Sequence, residues 1–194
     1  MRSYLSIAIL MIIAALTYGC SDPSANKQKA TVANAQQESN TPRASGTETL
    51  AITPENSKVE FLASKVTRTH HGSFKQFSGQ IGLDPNNISN SRVTIDIDTS
   101  SVVADDDQLT GHLKTPDFFD VAKFPKATFV STKIEPGSGD QIFNVTGNFD
   151  LHGVKKSISF PATIKVTPDN VTVDAEFTIN RKDFGIVYAG RLTI

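Results

Sequence analysis

The sequence predicts an all-β domain, an antiparallel sandwich or up-and-down barrel, with one short helical segment at about 104–120. Three observations carry this. From about residue 51 onward, apolar and polar residues alternate with period two in run after run, which is the signature of strands with one face buried and one wet. Turn residues separate the runs at short intervals. All 12 Phe lie between Phe61 and Phe184, so the core-forming material sits in the last three-quarters of the 194-residue chain.

The first residues read as an export signal. Arg2 supplies a positive start, and Leu5 to Leu16 is an apolar run too short for a membrane span of roughly 20 residues. Gly19 and Cys20 follow directly, and Cys20 is the chain's only cysteine. This arrangement resembles a bacterial lipoprotein signal, which implies cleavage after residue 19 and acylation of Cys20. Thr17 stands where that pattern prefers Leu, with Leu16 one place earlier. Two or three acyl chains anchor stably where one is marginal. Ser21 directly after the cysteine favours the outer membrane over the inner. Residues 20–50 are rich in Ser, Thr, Asn, Gln and Ala, with only Val32 and Leu50 as large aliphatics. Such a composition predicts a disordered tether, and residues 51–194 then form the barrel domain.

In the body, Val59, Phe61 and Ala63 share one face of a first strand. Arg92–Thr99, Phe143–Leu151, Ile158–Val166 and Val171–Ile179 alternate in the same way. Pro161 falls on the polar parity, as expected at an edge or a bulge. Asp84-Pro85-Asn86-Asn87, Pro136 to Asp140, His152-Gly153 and Pro168-Asp169-Asn170 read as turns. Ala104 to Asp120 breaks the alternation. Asp105, Asp106 and Asp107 suit a helix start, and Leu109 and Leu113 lie four apart on one helical face. Pro116 ends that helix, and a second turn holds Phe118 and Phe119.

Five stretches, in order, resemble the YceI-like family of bacterial periplasmic proteins. They are Ser57 to Phe61; His71-Gly72-Ser73-Phe74 with Phe77-Ser78-Gly79; His112 to Asp120 with Phe124-Pro125; Val145-Thr146-Gly147 with Leu151 to Lys156; and Ile179 to Gly185. The resemblance spans residues 57 to about 190. It implies a lipocalin-like barrel with an elongated apolar cavity for a polyisoprenoid or another lipid. Leu109-Thr110 stands where many members carry Arg-Asp, so no role of that pair is carried over. The family continues past the Gly-rich turn into one more strand, whereas this chain stops at Arg191 to Ile194. Either the sequence is cut short or the barrel lacks its closing strand, which leaves an open edge.

The expected ligand is a long-chain isoprenoid, quinone or fatty-acyl chain. Its expected cavity lining is Val59, Phe61, Phe74, Phe77, Val93, Ile95, Phe118, Phe119, Phe129, Phe149, Phe160 and Phe177, with His71, His112 and Arg181 as candidate contacts to a polar head. The alternative is that the Phe set packs a solid barrel that acts as an interaction or stress-response protein, with an envelope protein or a second copy as partner. A net charge of −1 argues against general nucleic-acid binding. One cysteine excludes an internal disulfide framework. His70 and His71 point to opposite faces of one strand and make a poor chelating pair. The three consecutive aspartates lack the spaced ligands of a calcium loop. No Ser-His-Asp spacing, nucleophile elbow, phosphate loop or HExxH occurs, so neither an enzyme, a cofactor nor a metal is expected.

Overall fold

The computed structural model describes residues 27–37, 48–65, 68–167 and 170–188. Its strands are β1 (Thr31–Asn34), β2 (Glu48–Ile52), β3 (Val59–Lys65), β4 (Arg68–Phe74), β5 (Phe77–Leu83), β6 (Arg92–Asp98), β7 (Val102–Ala104), β8 (Lys126–Pro136), β9 (Ile142–Leu151), β10 (Val154–Val166) and β11 (Val171–Asp174), with one α-helix, α1 (Asp107–Leu113). The larger sheet runs β1-β10-β9-β8-β6-β5-β2, and β11 pairs the same β10. A second sheet holds β3, β4 and β7. Among the described residues every strand pairing is antiparallel, apart from an isolated parallel bridge between Lys29 and Thr178.

Alternation makes the larger sheet one-sided. Ala127, Phe129 and Ile134 of β8, Val145 and Leu151 of β9, and Ile158, Phe160, Ala162 and Ile164 of β10 are all buried in one core cluster. A bulge between Ser131 and Lys133 of β8 keeps Ile134 on that face. The β9–β10 connection is the two-residue turn expected at His152-Gly153. Both residues have positive φ, at 55° and 73°, the type I′ geometry that matches strand twist. Gly153 is required for a second reason: a Cβ there would lie 2.4 Å from the Phe124 ring.

The break in alternation is the expected helix. The Asp106 carboxylate accepts from the Leu109 N–H at 2.8 Å and caps α1. Leu109 and Leu113 are buried with Val102 of β7. Phe118 and Phe119 sit in the following turn, held by bonds from Phe118 N–H to Thr115 C=O and from Phe119 N–H to Leu113 C=O, each 3.0 Å.

The open barrel that the sequence allowed for is found, and two other expectations are corrected. The barrel does not close among the described residues: β2 ends the larger sheet on one side, β1 and β11 on the other, and the β3–β4 hairpin pairs with β7 instead of joining them. Within the stretch 20–50 read as a tether, residues 31–34 form β1 and residues 48–50 begin β2, strands on the edges of β10 and β5. Edge pairing uses backbone groups, so a segment poor in large apolar residues can still be ordered by it. The alternating run Val171–Ile179 is a strand only to Asp174. The signal at 1–19, Cys20, and the chain end at 191–194 lie outside the described residues, as do Pro168 and Asp169 of one expected turn.

Candidate functional site

Two walls face each other. One carries the inner residues of β5, β6, β8, β9 and β10; the other carries Val59 and Phe61 of β3, Phe74 of β4, and the Phe118-Phe119 turn. Phe61 occupies its place because its cross-strand partner is glycine: a Cβ on Gly72 would lie 2.1 Å from the Phe61 ring. Phe61, Phe74 and Phe119 form a triad, with centroids 5.7 Å (61–74), 6.5 Å (61–119) and 5.5 Å (74–119) apart. On the opposite wall Phe160 lies between Phe129 at 5.5 Å and Phe177, stacked at 4.0 Å. Aromatic pairs at these distances are worth about 0.5–1.5 kcal/mol beyond their burial.

The twelve expected lining residues divide into two groups. Phe77, Phe129 and Phe160 are core residues, at 8%, 7% and 9% exposure. Val59, Phe61, Phe74, Val93, Ile95, Phe118, Phe119, Phe149 and Phe177 are only half-buried. All nine pack against the same inner clusters. The inner surface is therefore closed around Phe77, Phe129 and Phe160 and only partly covered over the other nine, which lie on both walls. A concavity of about 170 Å³ lies elsewhere, over Ser78, Gln80, Thr94 and Asp96 on the outer face. It is polar and smaller than the roughly 300–1,000 Å³ of typical ligand sites.

The three candidate head-group contacts separate likewise. His112 and Arg181 meet around Phe118. The His112 ring stands 5.0 Å from Phe118 and 5.0 Å from Tyr188, and the Arg181 guanidinium lies 5.6 Å over the Phe118 ring. His112 Nε2 is 2.8 Å from an Asp117 carboxylate oxygen. Arg181 donates to the carbonyls of Ile186 at 3.0 Å and Tyr188 at 2.8 Å, so it holds the 181–188 segment against this cluster. His71 is not part of it. It is exposed on the other face of β4, opposite the exposed Leu62. Its neighbour His70 points inward, is 6% exposed, and places Nδ1 2.8 Å from Asp105. The parity shared by His70, Gly72 and Phe74 was the signal for this. Tyr188 and Asp117 were missed because neither belongs to an alternating strand.

Two antiparallel sheets with aromatic inner faces, not closed into a full barrel among the described residues, define the structural class. The YceI-like domain model matches residues 50–194, and the chain belongs to that family. It is 34% identical over 122 residues to a UPF0312 protein of Pseudomonas putida (strain F1), and 36% identical over 122 residues to Protein YceI of Salmonella arizonae. Each match covers 60% of this chain and 63% of the relative. Among solved structures it is similar to BcnA of Burkholderia cenocepacia, with a TM-score of 0.64 and 30% identity over 68% of this chain and 82% of that one. It also shares its fold with a polyisoprenoid binding domain from Saccharophagus degradans, with a TM-score of 0.55 and 17% identity over 71% of this chain and 80% of that one.

Proposed function

We propose that the protein holds a long-chain lipid, an isoprenoid, quinone or fatty-acyl chain, against the open aromatic wall, sequestering or carrying it at a membrane of the bacterial envelope. The observation that carries this is the set of nine half-buried apolar residues spread over the two walls around the core, five of them on the β3–β4 and Phe118-Phe119 side. A folded domain gains by covering such a surface, at roughly 0.8 kcal/mol per CH₂ removed from water. His112 and Arg181 around Phe118 supply polar groups beside it, suited to a head group at the end of an apolar chain. The description of the Saccharophagus domain as polyisoprenoid-binding supports the same ligand class through its fold. Cys20 is proposed as the acylated anchor that keeps the domain on the periplasmic side of the membrane.

The competing reading is a filled barrel that works through its surface. It draws on Phe77, Phe129, Phe160 and Phe184, which are all buried. Native mass spectrometry of the protein extracted in mild detergent separates the two. A co-purifying lipid mass is the expected result; an empty domain bound to another protein favours the surface reading. For the anchor, Cys20→Ser is expected to move the protein from the membrane to the soluble periplasmic fraction or to block processing. Normal membrane retention of the processed variant would remove that part of the proposal.

A further inference from the structure

The run Val171–Ile179 alternates throughout, yet pairing with β10 stops at Thr163↔Asp174. Carrying that register forward would set Thr178 opposite Ser159, Ile179 opposite Ile158 and Asn180 opposite Ser157. Those positions of β10 are already taken. Thr31 pairs with Ser159, Val32 with Ile158 and Ala33 with Ser157. The displaced segment pairs instead with the chain that displaced it: Ala30 N–H donates to Thr178 C=O at 2.9 Å, and Thr178 N–H to Gln28 C=O at 3.0 Å. Lys27 and Glu176 add an ion pair at 2.6 Å. Pro161 sits in β10 between the two short pairings. It has no N–H to offer, so the edge is interrupted at the point where one strand leaves and the other enters.

A second set of contacts holds the inserted segment. Past β1, Gln36 crosses the outer face, where the Asn148 side chain accepts from the Gln36 N–H at 2.8 Å and donates to the Gln36 C=O at 2.7 Å. Thr132, at the β8 bulge, donates to the Gln36 side-chain oxygen at 3.0 Å. Asn148 is 2% exposed and Ser157 is 2% exposed. Satisfying both halves of a buried amide with one backbone unit fixes the register of the crossing segment.

We propose that residues 31–34 and 178–180 are alternative partners for one edge of β10, and that the Asn148 clamp on Gln36 sets the balance between them. With the N-terminal segment docked, β11 ends at Asp174. With it released, β11 continues to Asn180, and the edge that would otherwise stand open is covered from within the domain. The exchange ties the stretch leading from Cys20 to the barrel wall that carries Phe177, and it stands independently of the ligand reading.

Disulfide trapping in the full chain with Cys20→Ser reads both states from one position. S159C is combined with either T31C or T178C, since Cα atoms of facing strand residues fall in the bridging range. Under oxidised glutathione, S159C/T31C is expected to cross-link fully and S159C/T178C partly. Adding A33P, which removes a backbone donor from β1, or the milder N148A, is expected to raise the S159C/T178C yield severalfold and slow S159C/T31C. If S159C/T178C stays reduced with both additions, or its yield does not respond to either, the two segments do not exchange and the proposal is wrong.

Discussion

The β8–β9–β10 side and the β3–β4–α1 side of the molecule both carry phenylalanines on their inner faces, and they use them differently. Phe129 and Phe160 are buried, with Phe160 stacked on Phe177, while Phe184 is 0% exposed and stands 5.4 Å from Phe149. Phe61, Phe74 and Phe119 touch one another but remain half-buried. One side encloses its aromatics in the core; the other leaves them part-exposed, where the proposed lipid would lie. Substitutions on the two sides should therefore separate stability from binding.

The largest stability effect is expected at Phe184→Ala, about 3–5 kcal/mol, because the ring is wholly enclosed and its loss leaves a cavity. Urea unfolding measures it, and a cost below that of the half-buried sites would break the contrast. Gly72→Ala comes next. The new methyl takes the place of the Phe61 ring and turns it off the face, losing two aromatic contacts for about 1–3 kcal/mol together with lipid retention. Phe119→Ala should cost less, about 1–2 kcal/mol, because its ring is already part-exposed. It sharpens the contrast best: the variant is expected to stay folded by circular dichroism and lose its lipid.

The smallest effect concerns the β5–β6 turn, remote from both walls. A hydrogen bond from the Asn90 side chain holds the Asp84 carboxyl below its ordinary value; desolvation opposes it, and the Asn86 and Asn87 N–H groups add to the lowering. Its folded-state pKa is depressed, so its contribution is present above the unfolded-state pKa and lost as pH falls through the folded one. Asp84→Asn should flatten the acid side of the Tm–pH profile slightly and leave lipid retention unchanged.

The division between the two sides was only partly legible in the sequence. Alternation located β6, β9 and β10 because each has one wet face, and the Asp105–Asp107 run marked the helix start. Periodicity assigns a residue to a face without saying how far that face is covered, so Phe77 and Phe119 looked alike. The sequence favours His71 as a head-group contact, whereas His70 points inward on the parity of Gly72 and Phe74. The strand at Thr31–Asn34 and the early end of β11 were hidden for one reason. Both depend on which segment wins the backbone of β10, a competition between residues more than 100 positions apart in the chain that no local pattern encodes.

The central claim is that the half-covered wall binds an apolar chain, and ligand chain length tests it directly. Delipidated protein titrated with a series of isoprenoid alcohols should bind more tightly as the chain grows, by up to roughly 0.8 kcal/mol per added CH₂ until the wall is covered, with a negative heat-capacity change. Affinity that does not change with chain length, or no binding across isoprenoids, quinones and fatty acids, would contradict the account.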